Sequence, residues 1–197
     1  MSVRDGSALA FRLLARVSGL PCWGILNGWG SFLSLKFGTP ALHIRQYKKW
    51  PQWGGAPRRM VVVEGQHSIF VQMSDWAIRI NGRRIAHNES DRAVIAKAAR
   101  RLEGQILVGV RWAPKAVSTT FEFDLGGELS VRRYRDYDYA GDEALWSFHA
   151  RGTGSQPKVM AVMPNGQILS GTQWYGLPNN EMHLTKSAMA RRRSLRR

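Results

Sequence analysis

The chain of 197 residues holds one cysteine, Cys22. A lone thiol builds no internal disulfide, so the fold must rest on its core, and a reducing compartment, the cytoplasm, is the expected setting. Acid is scarce: 14 Asp and Glu stand against 29 Lys and Arg, a net charge of +15. No apolar run approaches the roughly 20 residues of a membrane helix, so no membrane partner is expected. No Gly-x-Ser-x-Gly elbow offers an activated serine. Gly152-Thr153-Gly154 lacks the Lys-Ser/Thr ending of a phosphate-cradling loop. His43, His67, His87, His149 and His183 show no metal-ligand spacing, and no cysteine pair supports them. The expectation is a protein that is not an enzyme, with no metal and no cofactor.

What is present is globular. The hydrophobic share is 44% and the aromatic share 10%, enough to bury a core. The eight tryptophans are costly to leave in water, so several belong inside. The basic charge is uneven. Lys186 to Arg197 carries six basic residues and no acid, and the middle of the chain is only moderately basic.

Two stretches echo each other. Leu35-Lys36-Phe37-Gly38-Thr39-Pro40 leads to Leu42, Ile44, Arg45 and Tyr47. Phe121-Glu122-Phe123-Asp124-Leu125-Gly126-Gly127 leads to Leu129, Val131, Arg132 and Tyr134, at one constant offset. Each reads as a hairpin turning on glycine. A looser echo follows, from Trp76, Ile78, Ile80 and Asn81-Gly82 to Trp146, Phe148 and Asn165-Gly166. Asn-Gly between alternating apolar residues is the strongest short hairpin signal. Met60–Glu64 and Ser68–Met73 read as two strands parted by Gly65-Gln66.

Between the halves the period changes to helical. Asn88-Glu89-Ser90-Asp91 offers an N-cap at Asn88 or Ser90 with acids in the first turn. Val94, Ile95, Ala98 and Leu102 form one stripe, and Gly104 stops the helix. The expected fold is α+β: mostly antiparallel β-sheet from two pseudo-repeated hairpin halves joined by one α-helix. Residues 1–30 read as a leader-like or disordered extension, residues 31–172 as a single domain, and residues 173–197 as a basic disordered tail. Arg12 and Arg16 interrupt the apolar run that a signal peptide would need.

The chain resembles an uncharacterised bacterial single-domain family. The resemblance rests on Gly30-Ser31-Phe32-Leu33 with Phe37-Gly38-Thr39-Pro40, on Asp75-Trp76-Ala77-Ile78, on Phe123-Asp124-Leu125-Gly126-Gly127 and on Pro164-Asn165-Gly166. It covers about residues 27–172. It implies an immunity-like protein with no established activity. The arginine tail and the length of 152–158 depart from it.

Two surfaces stand out. Tyr134, Asp136, Tyr137, Asp138, Tyr139, Asp142 and Glu143 form an acidic, tyrosine-bearing segment suited to a protein partner. A solvated loop offsetting nearby arginines is the plainer reading. Lys48, Lys49, Trp50, Trp53, Arg58 and Arg59, with Arg191, Arg192 and Arg193, would suit nucleic acid through charge and stacking. The leading expectation is a non-enzymatic cytoplasmic protein-binding module that occludes its partner. The alternative is a nucleic-acid-binding protein.

Overall fold

The structure, a computed structural model, describes residues 12–28, 32–47, 58–135, 143–150 and 158–171. Among these residues eleven strands and one helix of several turns follow in order: β1 (Cys22–Asn27), β2 (Leu33–Tyr47), β3 (Arg58–Val71), β4 (Asp75–Ile80), β5 (Arg83–His87), α1 (Arg92–Leu102), β6 (Leu107–Ala113), β7 (Ser118–Phe123), β8 (Gly127–Arg132), β9 (Trp146–Ala150), β10 (Lys158–Val162) and β11 (Ile168–Gly171). They form two antiparallel sheets. One has the order β1-β2-β3-β9-β10-β11, the other β5-β4-β8-β7-β6. The fold is therefore mostly antiparallel β with little helix.

Period-two alternation builds both sheets. Trp76 and Ile78 on β4, Phe121 and Phe123 on β7, and Leu129 and Val131 on β8 are buried; so are Leu33, Leu35 and Phe37 on β2, and Trp146 and Phe148 on β9. All belong to one hydrophobic cluster. Trp146 ties the sheets together. Its Nε1 donates to Thr119 Oγ1 at 2.8 Å, and its ring meets Phe121 edge-on at 5.1 Å. The sheet edges are also stitched. Pro21 bridges Ile106, Cys22 N donates to Gln105 O at 2.8 Å, and Leu107 N donates to Leu20 O at 3.1 Å.

The pseudo-repeat does not appear in the fold. Leu33–Tyr47 is one strand, not a hairpin. Gly38, at φ 73°, makes a bulge: Phe37 faces His67 and then Pro40 faces Gly65. One extra residue is absorbed without reversing the chain. Leu42 and Ile44 are 71% and 72% exposed, whereas their supposed counterparts Leu129 and Val131 are 0% and 1%. Met60–Glu64 and Ser68–Met73 likewise lie largely on one strand, β3, running through Gly65 to Val71. The Gly126-Gly127 and Asn81-Gly82 hairpins do form, the latter with φ 50° and 74°. Asn165-Gly166 joins β10 to β11 and does not follow the Trp146 strand directly.

The helix does not join two halves. It connects β5 to β6, the opposite edges of one sheet, and packs against β1, β4 and β5. Its N-cap is Asp91, with no side-chain cap bond and no acid in the first turn. Ser90 Oγ instead accepts from His87 N at 3.0 Å. The buried face is Ile95, Ala98, Ala99 and Leu102; Val94 is 42% exposed. Gly104 ends the helix at φ 84°.

Part of the expected leader belongs to the packed domain. Leu13, Leu14, Val17, Cys22 and Ile25 are buried in the main core. Arg12 and Arg16 are exposed, so they interrupt the apolar run only in sequence. The expected tail at 173–197 lies outside the described residues.

Thr119→Val keeps the side-chain shape and leaves the Trp146 N–H buried without an acceptor. A loss of about 2 kcal/mol is expected, seen as a melting temperature lower by about 4–8 °C. Thr120→Val, one residue on and facing away, should change stability by no more than about 0.5 kcal/mol. Equal shifts would show that the indole bond does not tie the sheets.

Candidate functional site: the apolar face of the β2–β3 arm

β2 and β3 pair over their whole length, from Leu33–Val71 to Tyr47–Arg58. Among the described residues only the first part pairs with further strands. β1 pairs with residues 33–37 of β2, and β9 with residues 67–71 of β3. Beyond the Gly38 bulge the ribbon continues as a two-stranded arm, residues 40–47 against 58–65. Gly65 sits at its root: a Cβ there would meet His67 O at 2.7 Å and Phe37 O at 2.9 Å. Only glycine allows the strands to approach so closely.

The bulge keeps the faces in phase. Phe37 faces His67, and Pro40 faces Gly65, two residues earlier on β3. The face that carries Leu33, Leu35 and Phe37 into the core therefore continues along the arm as Pro40, Leu42 and Ile44. Directly opposed residues share a face. Leu42 opposes Val63 and Ile44 opposes Val61, giving four aliphatic side chains in one block. All four are open to solvent, Val61 at 64% and Val63 at 41%. The sequence between the strands is cationic: residues 45–59 hold Arg45, Lys48, Lys49, Arg58 and Arg59 and no acid.

The sequence-derived candidates fare unevenly. Tyr134 is half-buried just past β8, and its hydroxyl accepts from Asn88 Nδ2 at 2.8 Å. Glu143 lies just ahead of β9. Asp136, Tyr137, Asp138, Tyr139 and Asp142 fall outside the described residues, as do Lys48, Lys49, Trp50, Trp53, Arg191, Arg192 and Arg193. Arg58 and Arg59 open β3, with Arg59 exposed. The structure thus places the Arg58-Arg59 pair on the six-stranded sheet and Tyr134 just past the end of β8 in the other. The arm's apolar face was missed because Leu42-His43-Ile44-Arg45 alternates like any core strand. Alternation marks an apolar face and says nothing of what covers it.

One arrangement mimics a catalytic pair. Ser147 Oγ and His149 Nε2 stand 2.9 Å apart, two residues apart and so on one face of β9. Ser147 is fully buried. Burial lowers His149 to about 4, so its imidazole is neutral at pH 7 and a weak base. The pair satisfies a buried hydroxyl. His67, stacked on Phe148 at 5.7 Å, is also lowered, by burial and then by the Arg16 charge. Cys22 is buried and raised well above the ordinary thiol range, by burial and then by Glu103. It is an inert thiol. Among the described residues no group of three potential ligands is placed to hold a metal.

His149 sets a pH dependence. The folded state keeps it neutral, while the unfolded chain takes a proton below about 6.5. The unfolded state then binds more protons, so stability falls as pH drops from about 6.5 to about 4. The loss from His149 is on the order of 3 kcal/mol. Urea unfolding across that window should show the slope, and His149→Asn should flatten most of it. An unchanged slope in the variant would place the titration elsewhere.

No family model, curated protein or solved structure matches the chain. The reading of function therefore rests on its own residues.

Proposed function

We propose that the chain is a non-enzymatic cytoplasmic protein-binding module, immunity-like in mode. It occludes an acidic protein partner by laying the aliphatic face of the β2–β3 arm over an apolar patch. One observation carries the reading: Leu42, Ile44, Val61 and Val63 stay exposed on the same face that elsewhere forms the core. Contiguous apolar surface of this kind marks interaction sites.

Charge selects the partner. The chain carries +15 overall, and residues 45–59 supply five of its basic side chains and no acid. An acidic rim on the partner is drawn to this arm, and a second copy of the chain is repelled. An apolar centre with a charged border is the usual anatomy of an interface. Nucleic acid, the other reading of these cations, is bound through phosphates and stacked bases. It makes little use of four aliphatic side chains. This reading assigns the docking surface to the arm; residues 136–142 of the tyrosine-rich segment lie outside the described residues.

The test uses the full chain and its Ile44→Asp/Val61→Asp variant. Proteins captured by the wild type are purified and titrated against both. Support is an acidic partner that binds the wild type, weakens with salt, and binds the variant at least about tenfold more weakly. Melting temperatures should agree, because exposed substitutions change stability by about 0.5 kcal/mol or less. Equal binding by both forms overturns the proposal. So does a wild-type dimer that the variant makes monomeric, which would assign the face to a second copy. A partner set dominated by nucleic acid would favour the other reading.

A further inference from the structure

A second surface, independent of the arm, lies at one end of the five-stranded sheet. Arg132 closes β8 between two neighbours, opposite Asp75 on β4 and Ser118 on β7. The chain then runs on through Arg133, Tyr134 and Arg135. The turn between β6 and β7, Pro114–Ala116, brings Lys115 to the same place. Between them is an open cleft of about 760 Å³, within the roughly 300–1,000 Å³ of small-molecule sites.

The charge there is out of balance. Lys115, Arg132, Arg133 and Arg135 line the cleft with one carboxylate, Asp75, so four cations face one anion. Asp75 Oδ2 accepts from Arg132 Nε at 2.7 Å. That bond steadies Arg132 and leaves its terminal N–H groups without an acceptor among the described residues. Lys115, Arg133 and Arg135 have no ion-pair partner among those residues. In the middle of the same sheet Arg79 pairs with Glu128 at 3.0 Å and Arg111 with Glu122 at 2.8 Å. Among the described residues four cations and a single carboxylate meet at this cleft.

The cleft is also shaped. Val117 forms part of its wall in the left-handed conformation, φ 45° and ψ 54°. A β-branched residue adopts it only when its surroundings insist. Here Val117 packs on the main core, and its N–H donates to Pro114 O at 3.2 Å, which holds Lys115 in the turn. Asn88 holds Tyr134 at 2.8 Å. Lys115 and Tyr134 are therefore held in place at the cleft wall, and Arg132 is fixed on β8 between two neighbouring strands.

We propose that this cleft binds a phosphate monoester carried by a small molecule. Forked guanidinium donors match phosphate oxygens in pairs, and a lysine adds a point charge. The Tyr134 ring and the Ala116–Val117 wall receive the small organic group attached to the phosphate. A dianion offsets most of the excess charge.

The experiment titrates phenyl phosphate into the full chain by calorimetry at fixed ionic strength, with sodium sulfate as a second probe. Phosphatidylcholine vesicles containing phosphatidic acid, and a DNA duplex, form parallel arms. Saturable phenyl phosphate binding is expected, weakened at least about tenfold in Arg133→Glu/Arg135→Glu and severalfold in Lys115→Ala. Arg133 and Arg135 are exposed, so the fold should persist, and Lys115→Ala provides a milder second variant. Arg83→Glu/Arg84→Glu makes the same charge change at the far end of β4 and should leave affinity within about twofold. Equal losses in both double variants would assign binding to the overall field and overturn the site. Absence of saturable phenyl phosphate binding, or sulfate binding as tightly, also overturns it. Binding only to vesicles or only to DNA overturns the small-molecule assignment.

Discussion

The Trp146 indole is the point on which the two sheets depend. It lies on the six-stranded sheet, yet its N–H is satisfied by Thr119 and its ring by Phe121, both on the five-stranded one. A buried indole without an acceptor would cost on the order of 1–3 kcal/mol. Sheet separation and hydrogen-bond satisfaction are therefore coupled at one residue. The edge contacts Pro21–Ile106 and Cys22–Gln105 add a second tie. They also draw residues 12–28 into the core, so the segment that looks least like domain in sequence closes one side of it.

From that shared core one face runs outward. The Gly38 bulge inserts an extra residue and still keeps Pro40, Leu42 and Ile44 in phase with Phe37. Without the bulge the Thr39 position would take the place of Pro40 and the whole aliphatic set would turn to the other face. The core and the arm's exposed aliphatic face are thus one strip of chain, divided by where β1 and β9 stop. The charge distribution separates roles in the same way. Along the middle of the five-stranded sheet Arg79 and Arg111 are matched by glutamates, and among the described residues four cations and one carboxylate gather at its Arg132 end.

Much of the local structure was legible. The Asn81-Gly82 hairpin, the β7–β8 hairpin at Gly126-Gly127, the helix and its stop at Gly104 all follow from turn chemistry and periodicity. The failures share one cause. Leu42 and Leu129 sit in matching local patterns, yet one is open to water and the other closed off. Local pattern reports which side chains share a face, and burial depends on which distant strand lies above it. The same limit hid Ser147–His149, where two polar residues of an ordinary strand meet through a buried hydroxyl.

The sequence by itself determined the strand and helix periods, most turns, the cationic excess and the absence of any disulfide framework. These depend on backbone preferences and side-chain chemistry within a few residues. The tertiary structure alone decided that Gly38 is a bulge and not a turn, that residues 12–28 join the core, and that α1 spans one sheet. It alone left the arm's aliphatic face uncovered and gathered Lys115 with Arg132, Arg133 and Arg135. Each of those outcomes is a contact between segments far apart in the chain, fixed by strand order and register, which no local pattern carries.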